Sequence, residues 1–396
     1  MWRSVASNAL TLFIVALVVV SGLLAWGRTA YTGPGPLAEA ICFKVEKGAN
    51  LGQVSRSLET EGAVADARIF RIGAEYSAKA TELKFGSYLL APKSSMRDVL
   101  GALTDGGQST CGREVNFRIS VAKAEIVLRE LDAATNRYVE VVKFDPATDA
   151  VPAEYLDAAQ ASDLRWRVTL AEGVTSWQVV DALKRADFLD GTVDKTPAEG
   201  TLSPDSYEVE KGSDRALLIT EMEARQAATL AELWAARAEG LPYETPQEAM
   251  IMASIVEKET GIPQERKRVA SVFINRLRDG MKLQTDPTVI YGITKGEGLL
   301  GRGLRQSELR RETPWNTYVI DGLPPTPIAN PGRLSIEAAL NPDTTPFIFF
   351  VADGSGGHAF AETLEQHNIN VAKWREIEAQ QGVDSGATGA TGVQGN

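Results

Sequence analysis

The strongest hydrophobic pattern of the chain is an unbroken apolar stretch near the N-terminus, "ALTLFIVALVVVSGLLAW". It covers residues 9–26, carries no charge, and has only Thr11 and Ser21 as polar residues. Such a stretch is just long enough to span the hydrocarbon core of a bilayer. A cleaved signal peptide is the alternative, but its apolar region is shorter and ends at a small-x-small site, which the following residues do not offer. The pattern therefore predicts an uncleaved transmembrane anchor.

The charges on either side of this stretch give only a weak indication of its orientation. Arg3 precedes it and Arg28 follows it, so the positive charges are nearly balanced. Very little chain precedes the span, and we therefore expect residues 1–8 on the cytoplasmic side and the rest of the chain outside.

Two later segments repeat one pattern of a short strand, a glycine turn and an amphipathic helix. They are "FKVEKGANLGQVSRSLETEGAV" from residue 43 and "WRVTLAEGVTSWQVVDALKRADFL" from residue 166. In each, Gln-Val follows the glycine at five and six positions and Leu follows at ten; the residues are Gly48, Gln53, Val54 and Leu58, and Gly173, Gln178, Val179 and Leu183. The pattern predicts two related βα units, with a chance match as the alternative.

The remaining hydrophobic pattern predicts a mixture of strands and helices. Residues 112–165 contain the strand-like runs "VNFRIS" and "RYVEVVKF" and a loop-prone end, without a recognisable motif. A helix is predicted from about Ser213 to Glu239, and another within "ERKRVASVFINRLRDGM". Segments rich in Gly, Pro and Asn are predicted to be loops, and they read "LQTDPTVIYGI", "TPWNTYVIDGLPPTPIANPG" and "LNPDTTPFIFFVADGSGGHAF".

One predicted helix, residues 246–260, is apolar on nearly all sides between Ala249 and Val256, which is typical of a core helix. The preceding "TPQE" is a capping box with proline at the first helical position. Gly261 is the predicted end of the helix.

Composition indicates a folded protein. The chain has 396 residues, of which 44% are hydrophobic and 23% charged, enough apolar residues for two or three domain cores. Its formal net charge of −11 disfavours nucleic acid as a partner, because that binding depends on Lys and Arg.

The two cysteines, Cys42 and Cys111, bracket one segment; a disulfide and two free thiols are both compatible with the sequence.

The last turn of the core helix carries two glutamates in "ASIVEKETG", Glu257 and Glu259. Glu259 follows Ile251 and Ile255 at steps of four and so extends a buried stripe, whereas Glu257 lies about 200° away around the axis. Only one of the two can face a given cleft. Desolvation and the negative end of the helix dipole should both raise the pKa of Glu259, which suits a general acid. The alternative is that both glutamates form surface ion pairs with neighbouring Lys and Arg.

Several long motifs resemble one family, the membrane-anchored endolytic murein transglycosylases, the MltG or YceG-like group. The likeness is close over residues 242–370, through "MASIVEKET", "ERKRVASVFINRLRDGMKLQTDPTVIYG", "NTYVIDGLPP", "PIANPG" and "FVADGSGGHAF". It is looser over residues 43–104, where "FKVEKGANLGQVSRSL" and "LKFGSYLL" look like that family's LysM-like module.

The resemblance implies cleavage of the β-1,4 bond between N-acetylmuramic acid and N-acetylglucosamine within a glycan strand, leaving a 1,6-anhydro end. One carboxyl group suffices, first as acid and then as base. Glu259-Thr260 resembles the Glu-Ser pair of lysozyme-like transglycosylases, so we expect Glu259 to be catalytic, with Glu257 as the second choice. A hydrolytic muramidase and a non-catalytic wall-binding scaffold are the alternatives.

The resemblance also implies an organisation: an α+β protein with an N-terminal transmembrane helix at residues 9–26, a LysM-like glycan-binding module at 42–104, and a mixed α+β catalytic domain at 166–380. Residues 166–190 would be a second LysM-like unit. Residues 112–165 have no assigned role, and 382–396 read as a flexible tail. The expected location is the inner membrane with the bulk in the periplasm, and the expected partners are glycan strands and a synthase of the penicillin-binding protein class.

Polar residues in the loop-like segments are candidates for substrate binding. These are Gln284, Asp286, Tyr291, Asn316, Tyr318 and His358, whose amide, carboxylate, phenol and imidazole groups suit sugar hydroxyl and N-acetyl groups. Turn formation and core packing are the alternative roles. Trp315, Thr326 and Ser203 depart from the family's usual Tyr, Gly and aromatic residue, which puts individual subsite contacts in doubt. His358 and His367 lack a third ligand at a recognised spacing, so we expect no metal and no cofactor.

Overall fold

The computed structural model of the chain describes residues 2–105, 110–161 and 163–381. The expected flexible tail at 382–396 lies outside the described residues. Within the described residues the chain folds into two compact units: residues 2–105, 110–116, 127–144, 150–161 and 163–166 form the first, and residues 117–126, 145–149 and 167–381 form the second. Helices and strands are mixed in both, so the predicted α+β class is confirmed.

The apolar N-terminal stretch forms one continuous helix, α1, Trp2–Thr32. Its segment Leu10–Thr32 is long and apolar enough to cross a membrane. At 1.5 Å per residue this segment is roughly 35 Å long, which exceeds the hydrocarbon core of a bilayer.

The first unit places two helices between two paired strands. Its first elements after α1 are β1 Ile41–Val45, α2 Leu51–Thr60, α3 Ala67–Tyr76, β2 Gly86–Leu90 and α4 Met96–Thr104. Strands β1 and β2 are antiparallel, with Phe43 opposite Tyr88. Both side chains are fully buried, and together with Phe70 they pack in one core under the helices. That this segment is a LysM-like module stays a prediction.

Cys42 on β1 and Cys111 form a disulfide, with their Cα atoms 5.8 Å apart. It closes a segment of 69 residues that contains all the helices after α1 up to α4. The structure therefore favours the bonded form over two free thiols.

The strand-rich middle of the chain has one more strand than the sequence predicts. It comprises β3 Arg113–Ile119, β4 Ala124–Asp132, β5 Arg137–Phe144 and the short helix α5 Ala153–Ala158. Strand β4 was not predicted, because charged residues interrupt its apolar run. With β6 Arg165–Leu170 and β8 Ser206–Val209 these strands form a sheet of order β5-β4-β3-β6-β8.

The second unit is mainly helical. After β6 its elements are α6 Ser176–Lys184, β7 Leu189–Asp190, β8, β9 Ser213–Asp214, α7 Arg215–Ala235, α8 Pro246–Glu259, α9 Arg266–Arg278, α10 Asp286–Thr294, α11 Gln306–Leu309, α12 Arg333–Leu340, β10 Phe349–Ala352, β11 His358–Ala361 and α13 Leu364–Gln381. The predicted end of α7 at Glu239 was wrong, because the chain leaves the helix and Ala238 donates its N–H to the carbonyl of Leu340 instead.

The two predicted βα units share their local geometry. Gly48 and Gly173 both have a positive φ, 82° and 77°, a conformation that glycine adopts without strain. Helices α2 and α6 both begin with a capping box whose glutamine is the matched residue of the repeat, Gln53 or Gln178. The residues matched between the two segments therefore form a glycine turn and the start of a helix.

Two of the three segments predicted to be loops contain regular structure. Residues 286–294 form helix α10, with proline in its first turn. Strands β10 and β11 form an antiparallel pair in which Phe350 lies opposite Phe360. In both cases Pro and Gly end or begin an element rather than exclude one.

Candidate active site

Helix α8 carries the candidate acid, and it begins as predicted. Thr245 accepts from the backbone N–H of Glu248, whose side chain accepts from the N–H of Thr245, and Pro246 follows the cap. Every residue from Ala249 to Val256 is buried. The helix ends at Glu259, one residue before the predicted end at 260, because Thr260 is already extended, with φ −141° and ψ 130°.

The carboxyl group of Glu259 lies inside the second unit, where the residue is 4% exposed. The hydroxyl of Thr285 donates a hydrogen bond to Oε1. Oε2 is buried and has no hydrogen-bond partner among the described residues. One oxygen of this carboxyl is therefore held in place, and the other is the one that can carry a proton to a ligand.

Burial raises the pKa of Glu259 to about 7. The hydrogen bond from Thr285 and the charge of Arg276 act in the opposite direction, and the negative charge of Asp286 adds to the rise. The direction agrees with the prediction from desolvation. At neutral pH a substantial fraction of this carboxyl is protonated, as a general acid requires.

Glu257 has different surroundings, as its place on the helix predicts. Its Oε2 accepts from the backbone N–H of Gly332, 3.0 Å away, at the N-terminal cap of α12. Its Oε1 lies 3.8 Å from the guanidinium of Arg266, which also pairs with Glu172. The Glu257 carboxylate is therefore engaged in holding α8, α9 and α12 together.

A second acidic group, Asp286, lies near Glu259 at the start of α10. The phenol of Tyr318 donates to Asp286 Oδ1 over 2.7 Å. Burial raises the pKa of Asp286, and the bond from Tyr318 counteracts this rise. The sequence placed both residues among the candidates, and the structure brings them together with Glu259.

The loop before α10 is held in an uncommon conformation. Gln284 has φ +50°, and its backbone N–H donates to the carbonyl of Thr317. Positive φ is unusual for a residue with a side chain and is frequent at functional sites. Here it turns the chain so that the next residue, Thr285, reaches Glu259.

The model of the YceG-like family matches residues 43–142 and 143–373. The chain belongs to the YceG-like family. The predicted resemblance is thus confirmed.

The curated relatives that this chain matches carry a name that agrees with the family. A protein named endolytic murein transglycosylase from Bacillus subtilis is 36% identical over 174 residues, which are 44% of this chain and 47% of that protein. One of the same name from Streptococcus pneumoniae is 28% identical over 341 residues, 84% of this chain and 58% of that protein. This chain thus spans about half the length of the curated relatives it matches. A crystal structure of a YceG-like protein from Listeria monocytogenes matches with a TM-score of 0.44 at 24% identity, over 84% of this chain and 99% of that one.

Arg276 is a member of the candidate site that the sequence did not single out. Its side chain is fully buried and donates to the carbonyls of Leu283 and Ile348, each over 2.7 Å. Burial lowers the pKa of this guanidinium to about 10. The bonds hold the start of the Gln284 loop, and the positive charge acts on Glu259.

Tyr291 lies on α10 and pairs with a second residue that the sequence did not single out, Glu199. This carboxylate accepts from the backbone N–H of Ser176 and bonds the Tyr291 phenol. Burial raises the pKa of both Tyr291 and Glu199. Glu199 lies in a turn-rich segment, "EGTLSPDSYE". Its carboxyl group is the only feature of the sequence there that could have indicated a role in the site.

Asn316 and His358 are engaged with neighbouring parts of the protein. Asn316 is fully buried, and its amide donates to three backbone carbonyls, those of Glu308, Leu309 and Arg311. The Nδ1 atom of His358 lies 2.7 Å from Glu265 Oε2, and its backbone N–H donates to Oε1. Direct substrate contact by these two residues stays a prediction, and the Asn316 contacts do not support it.

Two positions that depart from the family pattern contact each other. The indole N–H of Trp315 donates to the hydroxyl of Thr326 over 3.0 Å. An indole N–H that is shielded from solvent needs a hydrogen-bond acceptor. Trp315 is half-buried, and the Thr326 hydroxyl is the acceptor for its indole N–H. The other histidine, His367, is buried and stacks on Phe349 with ring centroids 5.1 Å apart.

Proposed function

We propose that this chain is an endolytic peptidoglycan transglycosylase. It would cleave the β-1,4 bond between N-acetylmuramic acid and N-acetylglucosamine within a glycan strand, and leave a 1,6-anhydro end on the muramic acid. The observation that carries the proposal is the state of Glu259: a buried carboxyl with a pKa near 7, one oxygen held by Thr285 and one without a protein partner.

In the proposed reaction Glu259 gives up one proton and then takes up another. Protonated Oε2 gives its proton to the glycosidic oxygen as the bond from that oxygen to C1 breaks, and the N-acetylglucosamine side leaves as an alcohol. The carboxylate then takes the proton of the muramyl 6-hydroxyl as O6 bonds to C1. The enzyme returns to its starting state and no water is consumed.

Asp286 and Tyr318 are proposed to support the charge changes. As the glycosidic bond breaks, positive charge develops at C1, and a nearby carboxylate stabilises it. The Tyr318 hydroxyl favours the ionised form of Asp286. Gln284, Tyr291, Asn316 and His358 remain proposed substrate-binding residues, of which Gln284 lies in the loop next to Glu259.

A hydrolytic muramidase is the second candidate function, and the nearness of Asp286 favours it. Hydrolytic glycosidases use two carboxyl groups, the second as nucleophile or as base for water. Asp286 is close enough to Glu259 to raise its pKa. The two reactions differ in their products, since hydrolysis leaves a reducing end.

The location and partners are part of the proposal. Helix α1 would be a single anchor in the inner membrane, with the short N-terminus in the cytoplasm and the chain that follows α1 in the periplasm, where glycan strands occur. Residues 42–104 would bind glycan as a LysM-like module, and residues 166–380 would form the catalytic domain, with 166–190 as a second LysM-like unit. A penicillin-binding synthase would supply nascent strands.

Release of soluble muropeptides from purified sacculi tests catalysis against a non-catalytic scaffold. We expect wild type to release them and Glu259→Gln to lose about 10²–10⁴-fold in rate, the usual contribution of a general acid and base. Glu257→Gln is the matched control and should stay active. Equal release by wild type and Glu259→Gln would defeat the proposed role of Glu259.

A further inference from the structure

Helix α3 divides its surface into three faces. The core face consists of Ala67, Phe70 and Ala74, which are buried. A polar face carries Arg68, Arg71 and Glu75. The third face, which we call the α3 stripe, consists of Ile69, Ile72, Gly73 and Tyr76, spaced so that they lie within about 100° around the helix axis.

The end of the N-terminal helix packs on this stripe. The ring of Tyr31, in the last turn of α1, lies so close to Gly73 that a Cβ there would fall 2.1 Å from a ring carbon. A larger residue at position 73 would displace the Tyr31 ring, so glycine allows this close contact. The α3 stripe therefore adjoins the last turn of α1.

The position of Tyr31 along α1 gives the level of the stripe relative to a membrane. Trp26 lies five residues earlier, about 7.5 Å along the axis, and is 62% exposed. Tryptophan at the end of a span is typical of the membrane interface. The headgroup layer on each side of the hydrocarbon core is roughly 5–8 Å thick. At Gly73 the stripe thus meets α1 at the level where headgroups meet water.

The part of the stripe that Tyr31 does not cover is apolar and exposed. Ile72 is 65% exposed and Tyr76 is 94% exposed, one turn apart. Arg68 is the charged residue nearest to Ile72 around the helix axis, and Glu75 and Arg71 follow further round on the polar face. An aliphatic and a tyrosine side chain with an arginine beside them match the interfacial layer of an anionic lipid surface.

We propose that the α3 stripe is a membrane-contact surface. Ile72 and Tyr76 enter the headgroup region of the bilayer that α1 spans, and Arg68, which lies beside Ile72 around the helix axis, meets an anionic lipid phosphate. The first unit is thereby held against the membrane surface. This inference rests on the part of the proposed function that makes α1 an anchor.

Site-directed fluorescence quenching in vesicles tests the proposal on the full chain. Both native cysteines are in the disulfide, so one introduced cysteine can be labelled at position 18, 72, 75 or 76. The vesicles contain phosphatidylethanolamine and phosphatidylglycerol with a nitroxide on the headgroup or deep in the acyl chain. We expect headgroup nitroxide to quench the probes at 72 and 76 about twofold or more above the probe at 75, the neighbour on the polar face.

The probe at position 18 separates the two hypotheses. Val18 lies within the apolar segment of α1 and should be quenched by the deep nitroxide. Failure there would remove the anchor and this inference with it. Quenching at 18, with 72 and 76 quenched no more than 75, would overturn the contact surface alone. Lipid-nitroxide quenching at 76 that falls as the protein-to-lipid ratio rises would identify a second copy as the occupant and also overturn it.

Discussion

The Thr285 hydroxyl donates to one oxygen of Glu259, and the other oxygen of that carboxyl is buried without a partner among the described residues. This asymmetry gives the two oxygens different roles. The hydrogen bond fixes the rotation of the carboxyl group, so a proton on Oε2 points in one direction. The glycosidic oxygen must come within about 3 Å of it. Glu259 is 4% exposed, so the proposed reaction requires that its Oε2 atom becomes accessible to the glycan.

We predict that stability depends on pH through Glu259. Its folded-state pKa of about 7 lies above the ordinary value of 4.5. The folded chain therefore binds this proton more tightly, and the stability gained is complete below pH 4.5 and lost as pH rises through 7. Relative to Glu259→Gln, which does not titrate, wild type should lose about 3 kcal/mol between these limits. Chemical unfolding of both proteins at pH 4.5 and 8 measures it; a constant difference would refute the raised pKa.

Two neighbouring substitutions should move the pH profile of the rate in opposite directions. Activity should fall as pH rises through about 7, because Glu259 must start protonated. Asp286→Asn removes a negative charge that raises the pKa of Glu259, so this limb should move to lower pH. Thr285→Val removes a bond that lowers that pKa, so the limb should move to higher pH. Rates of muropeptide release from pH 5 to 9 give both shifts, and shifts in the same direction would contradict the site.

We predict that Glu257→Gln weakens the fold and spares the chemistry. The amide can still accept from Gly332, but the ion pair with Arg266 is lost. Leaving a buried guanidinium with one partner fewer should cost about 1–3 kcal/mol. Thermal unfolding and sacculus digestion of the same preparation check this. Normal stability together with lost activity would instead make Glu257 the catalytic residue.

Loss of the disulfide should destabilise the first unit. Cys42→Ser opens a loop of 69 residues, and loop-closure entropy for that length corresponds to about 4 kcal/mol. The control is thiol titration in denaturant: wild type should show no free thiol before reduction and two after it. Free thiols in unreduced wild type would argue against the bond.

The parts of the fold that local chemistry determines were predictable. The capping box of α8, its buried stripe ending at Glu259, and the paired glycine turns of the repeat follow from residues close together in the chain. The predictions were wrong where a residue distant in sequence sets the end of an element, or where charged residues hide the hydrophobic pattern of a strand. Helix α7 ends early because Ala238 bonds Leu340, and β4 carries charged residues that interrupt its pattern.

The sequence predicted the candidate acid of the site, Glu259, but not the contacts of the residues around it. Desolvation beside isoleucines could be inferred from the spacing of α8. The bond between Asp286 and Tyr318, 32 positions apart, could not. Arg276 lies on helix α9 together with other basic residues. Nothing in the sequence indicates that it, rather than one of them, is buried and donates to two backbone carbonyls.

Digestion of sacculi in water enriched in oxygen-18 tests the central claim most directly, since the claim is that Glu259 completes the reaction without water. Mass spectrometry of the released muropeptides should show 1,6-anhydro ends without the heavy isotope, and these products should disappear with Glu259→Gln. Reducing ends that carry oxygen-18 would contradict the account and assign the chain to the hydrolytic muramidases.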